Sequence, residues 1–249
     1  MKNLFLIVFM FAVAGLGFSQ TPSAVEILRR VDNNEIFNTI QYEGEIINER
    51  RGRQFVITFN AWARGNTHSF IEFTNREDRG TRYLRRDGRL MVYSPDNEGV
   101  MLISGHMLRD SMMGSAMSYE DTLDNAPLSR RYNPVLLGSE TVTRPNGNRD
   151  VWVLELNAID RTREYYARRK LWIDKENDDV LRYELFALSG ALLKEYEMLE
   201  VQVIGNRRFP VKGEMRDIQG GINTTFVMRN VILDRPIADS VFSDRNLER

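Results

Sequence analysis

The chain is 249 residues long and 42% hydrophobic, with a formal net charge of −1 and no cysteine. That length suits one large or two small domains, and the apolar fraction excludes global disorder. No overall charge field points toward nucleic acid or an anionic membrane, and the lack of cysteine excludes disulfides, a thiolate nucleophile, Cys-ligated metal and an N-terminal lipidated Cys.

Lys2, an apolar run over 4–18 and the small residues of Gly17-Phe18-Ser19 have the order of a secretory signal peptide. The run is too short for a membrane span, which needs about 20 apolar residues. Residues 1–19 are therefore expected to be removed on export, and 20–249 to form a single domain. Pro22, with Ser23 three residues before Glu26, predicts a helix start closed by a capping box. Val25, Ile27, Leu28 and Val31 give that helix one apolar face, and Asp32-Asn33-Asn34 ends it.

From Ile40 the period changes to two. Ile40, Tyr42 and Ile46 alternate with polar neighbours, and then Phe55, Ile57 and Phe59 point one way while Gln54, Thr58 and Asn60 point the other. Further strands are predicted over 68–74, 81–86 and 90–94, with a hairpin turn at Asp87-Gly88 and another over 95–99. Beyond a hairpin signal at Asn146-Gly147, the alternation predicts strands over 151–157, 168–174, 180–188, 193–204, 209–217 and 222–233. Trp152, Leu154 and Leu156 share one face there and are expected to line the interior with Phe55, Ile57 and Phe59. Val241 and Phe242 anchor a short helical turn over 239–249. The total is ten or eleven strands in hairpin order, which is a mainly β, antiparallel fold with helices only at its start and middle. One apolar sheet face then needs a cover.

Residues 100–128 break the strand pattern. Met101, Met107, Met112, Met113 and Met117 cluster there with Leu108, among small residues such as Gly105, Gly114, Ser115 and Ala116. Methionine fills irregular gaps and accepts varied apolar shapes. Two readings stand: ordinary core filling, or a mobile lid over an apolar cavity that serves binding more than stability.

No catalytic constellation stands out in the sequence. His68 and His106 belong to no metal-spaced motif, and Ser104, His106 and Asp110 lack a nucleophile elbow. Asp174-x-Glu176-x-Asp178 lacks the glycine and terminal acid of a calcium loop and reads as a turn. The arginines at 79, 82, 85, 86 and 89, and the basic run Arg161, Arg163, Arg168, Arg169 and Lys170, read as outward strand faces or as a rim meeting headgroups or an acidic partner. No cofactor, metal, nucleotide or nucleic acid is expected.

Tyr93-Ser94-Pro95-Asp96, Ile103-Ser104-Gly105-His106, Met113-Gly114-Ser115, Tyr119-Glu120-Asp121 and Leu171-Trp172-Ile173-Asp174 are similar to segments of the outer-membrane lipoprotein-sorting, LolA-like family. The likeness continues through Ser189-Gly190 to Val241-Phe242-Ser243 and Leu247-Glu248-Arg249. It implies a strongly curved, incompletely closed antiparallel β-barrel, with helices plugging the open side and a cavity for acyl chains. It implies a periplasmic, non-enzymatic carrier of lipoproteins or lipids toward the outer membrane. An inner-membrane exporter would be the donor and an outer-membrane protein the acceptor. The alternative is a lipid-sensing or partner-binding scaffold on the same barrel. The resemblance makes Phe55, Ile57, Phe59, Met101, Met107, Leu108, Met112, Met113, Met117, Trp152, Leu154 and Leu156 the candidate lipid-binding residues.

Overall fold

The computed structural model describes residues 21–34, 37–50, 52–97, 99–123 and 126–249. The expected signal peptide lies outside the described residues.

Thirteen antiparallel strands form one sheet in the order β6-β5-β4-β3-β2-β1-β13-β12-β11-β10-β9-β8-β7. They are β1 Thr39–Arg50, β2 Arg53–Arg64, β3 His68–Phe73, β4 Arg82–Arg86, β5 Arg89–Ser94, β6 Gly99–Ile103, β7 Tyr132–Arg144, β8 Gly147–Ala158, β9 Arg168–Asp174, β10 Val180–Phe186, β11 Leu192–Ile204, β12 Arg207–Asp217 and β13 Ile222–Leu233. Every neighbouring pair except β1–β13 is also adjacent in sequence, and β1–β13 joins the two halves of the chain. The edges β6 and β7 are the ends of that order, so hydrogen bonding does not close the sheet. Eleven of the strands match the predicted runs; β6 and β7 are the two additions. At the β4–β5 turn both Asp87 and Gly88 adopt positive φ, the geometry that lets a two-residue turn follow the strand twist.

The register runs one row of side chains across the sheet on a single face: Phe55, Asn48, Thr224, Met215, Tyr196, Tyr183, Leu171 and Leu154. Two covers lie over this face. Helix α1, Ala24–Asn34, buries Ile27, Leu28 and Val31 against Tyr132, Leu154, Leu156, Leu171 and Ile173. Ser23 Oγ accepts from the Glu26 amide as the capping pattern predicts, but Val25 is exposed and does not join the packed face. The second cover is residues 104–123, short 3-10 turns followed by α2, Tyr119–Leu123. It packs on Ile46, Ile57, Phe59, Phe73, Tyr83 and Val92.

The sheet is not apolar on one face only. Phe70 and Leu84, on the opposite face, are covered by residues 237–249, where Phe242 and Leu247 are buried and α3, Asp244–Leu247, ends the packing. Val151, Val153 and Trp172 form another cluster on that side with Met198. Alternation read from one phase of β8 hid the second, because both phases carry valine or leucine.

Close packing on the covered face depends on Gly44. A Cβ there would lie 2.1 Å from the Phe59 ring, which rests directly on the β1 backbone. Gly44→Ala is therefore expected to cost about 1–3 kcal/mol in a urea melt, because the ring has strand backbone below it and core around it.

Candidate functional site

The covering segment 104–123 is the candidate site, since it joins the apolar face to solvent. Met107, Leu108, Met113 and Met117 are half-buried against that face, with Met112 in the core beside Ile57 and Phe59. Rings continue the surface from strand to cover: Phe59–Phe73 at 5.9 Å, Phe73–Tyr83 at 5.0 Å and Tyr83–Tyr119 at 5.8 Å between centroids.

The predicted set divides between the two covers. Ile57, Phe59 and the segment's methionines form one cluster, whereas Trp152, Leu154 and Leu156 sit in the other, beneath α1. Phe55 is a correction. It shares the face of Ile57 and Phe59 but is 55% exposed, because β2 pairs with β3 only from Phe59 onward and so extends past that neighbour. Met101 is another: it lies in edge strand β6 opposite Val92, is 44% exposed, and stands outside the covering segment.

What ties the segment down is polar, and these residues escaped the sequence reading. Asn48 Nδ2 donates to the Met113 carbonyl at 3.1 Å, and Thr224 Oγ1 donates to Asn48 Oδ1 while accepting from the Ala116 amide, both at 2.8 Å. Met113 has φ 53°, a left-handed conformation costly for a long side chain. The Asn48 bond to its carbonyl and the Tyr83 hydroxyl donating to its sulfur at 3.0 Å hold it there.

Further along, Lys194 Nζ of β11 lies 2.5 Å from Asp121 Oδ2 of α2, and both side chains are under a tenth exposed. The Tyr166 hydroxyl donates to the other Asp121 oxygen at 2.6 Å, and the Ser118 amide and hydroxyl complete the carboxylate's shell. Burial, reinforced by Asp121, raises the Tyr166 phenol far above its ordinary range, so it stays a neutral donor. Arg85 donates to the Leu123 carbonyl at 3.1 Å. Beyond the segment, Asp32 of α1 accepts from the amides of Leu128 and Ser129. Asn48, Thr224 and Lys194 share one signal: each is a polar residue standing in the inward phase of a strand.

Between segment and sheet lies a recess of about 110 Å³ lined by Arg109, Ser111, Ser115, Ser118, Lys194 and Asp217, among others. A larger cavity, about 400 Å³, lies on the opposite face between Trp62, Phe70, Arg82 and the 237–249 segment. Members of both basic clusters are engaged within the fold, whereas Arg79, Arg89, Arg161 and Arg163 are exposed. Arg86 pairs with Asp244 and donates to the Phe242 carbonyl, Arg168 pairs with Glu155, and Lys170 stands over Trp172. Ser104, His106 and Asp110 are all exposed. Asp174 Oδ1 accepts from the amides of Glu176 and Asn177, as a hairpin turn requires. Among the described residues no helix is long and apolar enough to cross a membrane.

Comparison with known proteins places this arrangement. A DUF1329 family protein from Desulfovibrio piger superposes with a TM-score of 0.81 at 22% identity, covering 90% of this chain and 97% of its own. A putative outer membrane lipoprotein-sorting protein domain from Vibrio parahaemolyticus gives 0.78 at 21% identity, covering 91% and 98%. A LolA superfamily protein from Nitrosomonas europaea gives 0.73 at 22% identity, covering 91% and 100%. No curated protein matches by sequence. A family model described as that of an uncharacterized protein matches residues 65–249, which take in the covering segment and every strand after β2. The chain belongs to that family, and its fold is LolA-like.

Proposed function

We propose that the protein is a non-catalytic periplasmic carrier that binds the acyl chains of lipoproteins or lipids on the face covered by residues 104–123. In this reading the sheet works as an incompletely closed barrel, with α1 and the covering segment as its plug. An inner-membrane exporter gives up the cargo and an outer-membrane acceptor takes it. The observation that carries the reading is the make-up of the cover. Flexible methionines lie over aromatic and aliphatic strand residues, fixed at a few polar points instead of by a long amphipathic helix.

The physics of such a site is simple. Each methylene withdrawn from water contributes about 0.8 kcal/mol, so a chain can be held without polar chemistry. The segment's own methionines fill the face, so cargo must displace them and they must re-pack around it. Their unbranched side chains make that exchange inexpensive. The polar anchors return the segment to one position once the chain leaves.

A fluorescent fatty acid titrated into the purified protein tests the reading, alongside lipid mass spectrometry of protein taken from its native envelope. Saturable binding, displaced by unlabelled acyl chains, is the expected result. No binding and no co-purified lipid would sink it.

A further inference from the structure

The two ends of the sheet differ in chemistry. Register places the β1–β2, β10–β11 and β12–β13 turns, and the connection from β8 to β9, at one end. These tips expose apolar side chains: Phe55 and Val56, Leu188, Ile218 and Ile159, with Leu188 the most open at 67%. Exposed Arg50, Arg53, Arg161 and Arg163 stand among them, against exposed Glu49 and Asp160. At the opposite end the turns are Gly65-Asn66-Thr67, Asp87-Gly88, Gly205-Asn206 and the acidic run over 175–179, with Val203 and Ile232 the exposed apolar residues near them. Single exposed apolar residues are ordinary on a protein surface. Apolar side chains on successive tips of one end, interleaved with arginine, are not.

The β1–β2 hairpin extends past β3 on its β2 side. Its β2 residues 53–57 pair with β1 alone, so Phe55 on one face and Val56 on the other both meet solvent. The recess beneath the covering segment opens at this same end, since Leu193, Lys194, Asp217 and Gln219 line it.

We propose that this end docks on an anionic phospholipid surface. The arginines meet headgroup phosphates while the tip residues enter the boundary between headgroups and acyl chains. Arginine is suited to this, since its guanidinium pairs with phosphate in bidentate fashion. Shallow apolar insertion supplemented by basic residues gives reversible association, as a shuttle requires. The inference deepens the carrier reading by fixing where cargo crosses to a membrane, yet docking is measured apart from cargo binding.

The test is flotation of the protein, purified from its own envelope, with vesicles of phosphatidylglycerol and phosphatidylethanolamine in equal parts or of phosphatidylcholine alone. Preferential flotation with the anionic vesicles, weakened by salt, is expected. Val56→Asp with Leu188→Asp should lower that partitioning about tenfold or more. Arg53→Glu with Arg161→Glu should remove the preference for anionic lipid, and Val203→Asp at the other end should change nothing. All three variants should bind fluorescent fatty acid in solution as wild type does. Wild type that floats with neither vesicle, or with both equally, overturns the docking, as does a Val56/Leu188 variant that is folded and floats normally. Should the aspartates prevent folding, the arginine pair decides alone. Failed fatty-acid binding beside intact, tip-dependent flotation removes the carrier reading and leaves docking standing.

Discussion

Lys194→Met is expected to lower the unfolding free energy by about 3–5 kcal/mol. The substitution leaves the Asp121 carboxylate inside the protein without its cation. The remaining donors, Tyr166 and Ser118, are neutral and cannot repay the desolvation of a full charge. Asp121→Asn with Lys194→Met removes both charges while keeping an oxygen for the Tyr166 hydroxyl, so it should recover most of the loss. A residual deficit of about 1 kcal/mol remains where Ser118 has lost its acceptor. There is a ceiling on the single-variant effect. Asp121 belongs to the covering segment, so the cost cannot exceed the free energy of detaching that segment and letting the carboxylate reach water. Guanidinium melts give the global value, and hydrogen exchange over 104–123 shows whether the loss is taken locally. A single-variant loss below about 1 kcal/mol with exchange unchanged would mean the pair is solvated and clamps nothing.

Much of the fold was legible because it rests on local periodicity. The capping pattern of α1, the turn residues and the eleven alternating strands need no knowledge of distant partners. The two missed strands lack that signal for physical reasons. β7 is a sheet edge with Pro134 and Gly138 inside it, and most of its residues meet solvent on either phase, so no alternation was imposed on them. β6 is a short continuous apolar run, which does not distinguish strand from buried helix. Phe55 shows another limit: the period assigned its face correctly, but depth depends on where the neighbouring strands stop. The polar anchors were hidden more deeply. Asp121 and Lys194 are 73 residues apart, and Asn48 and Thr224 are 176 apart, so only the packing of α2 on β11 and the pairing of β1 with β13 bring them together. The candidate apolar residues were visible, then, while the contacts that hold the cover in place were not.

The same charge placed at adjacent methionines should give opposite results, and the contrast separates core from binding surface. Met112 is 4% exposed and packs with Ile46, Ile57 and Phe59. Met112→Asp buries a carboxylate beside Ile46, Ile57 and Phe59, so it should cost several kcal/mol, about 3–5 by the usual range for a buried charge left without a cation. Such a loss would make this position of the segment contribute to stability as a strand residue does, against a lid that serves binding more than stability. Met113 is half-buried, left-handed in its backbone, and within 3.0 Å of the Tyr83 hydroxyl. Aspartate tolerates a left-handed conformation better than methionine does, and its carboxylate can accept from that hydroxyl. Met113→Asp should hence keep the melting midpoint within about 1.5 kcal/mol of wild type. Fatty-acid affinity should nevertheless fall at least about tenfold, because an acyl chain entering beneath the segment would have to desolvate the new charge. Denaturant melts and one fluorescent titration on each variant decide the matter. Equal destabilisation by both would make the segment ordinary core throughout, and unchanged binding in a folded Met113→Asp would move the acyl site elsewhere on the sheet.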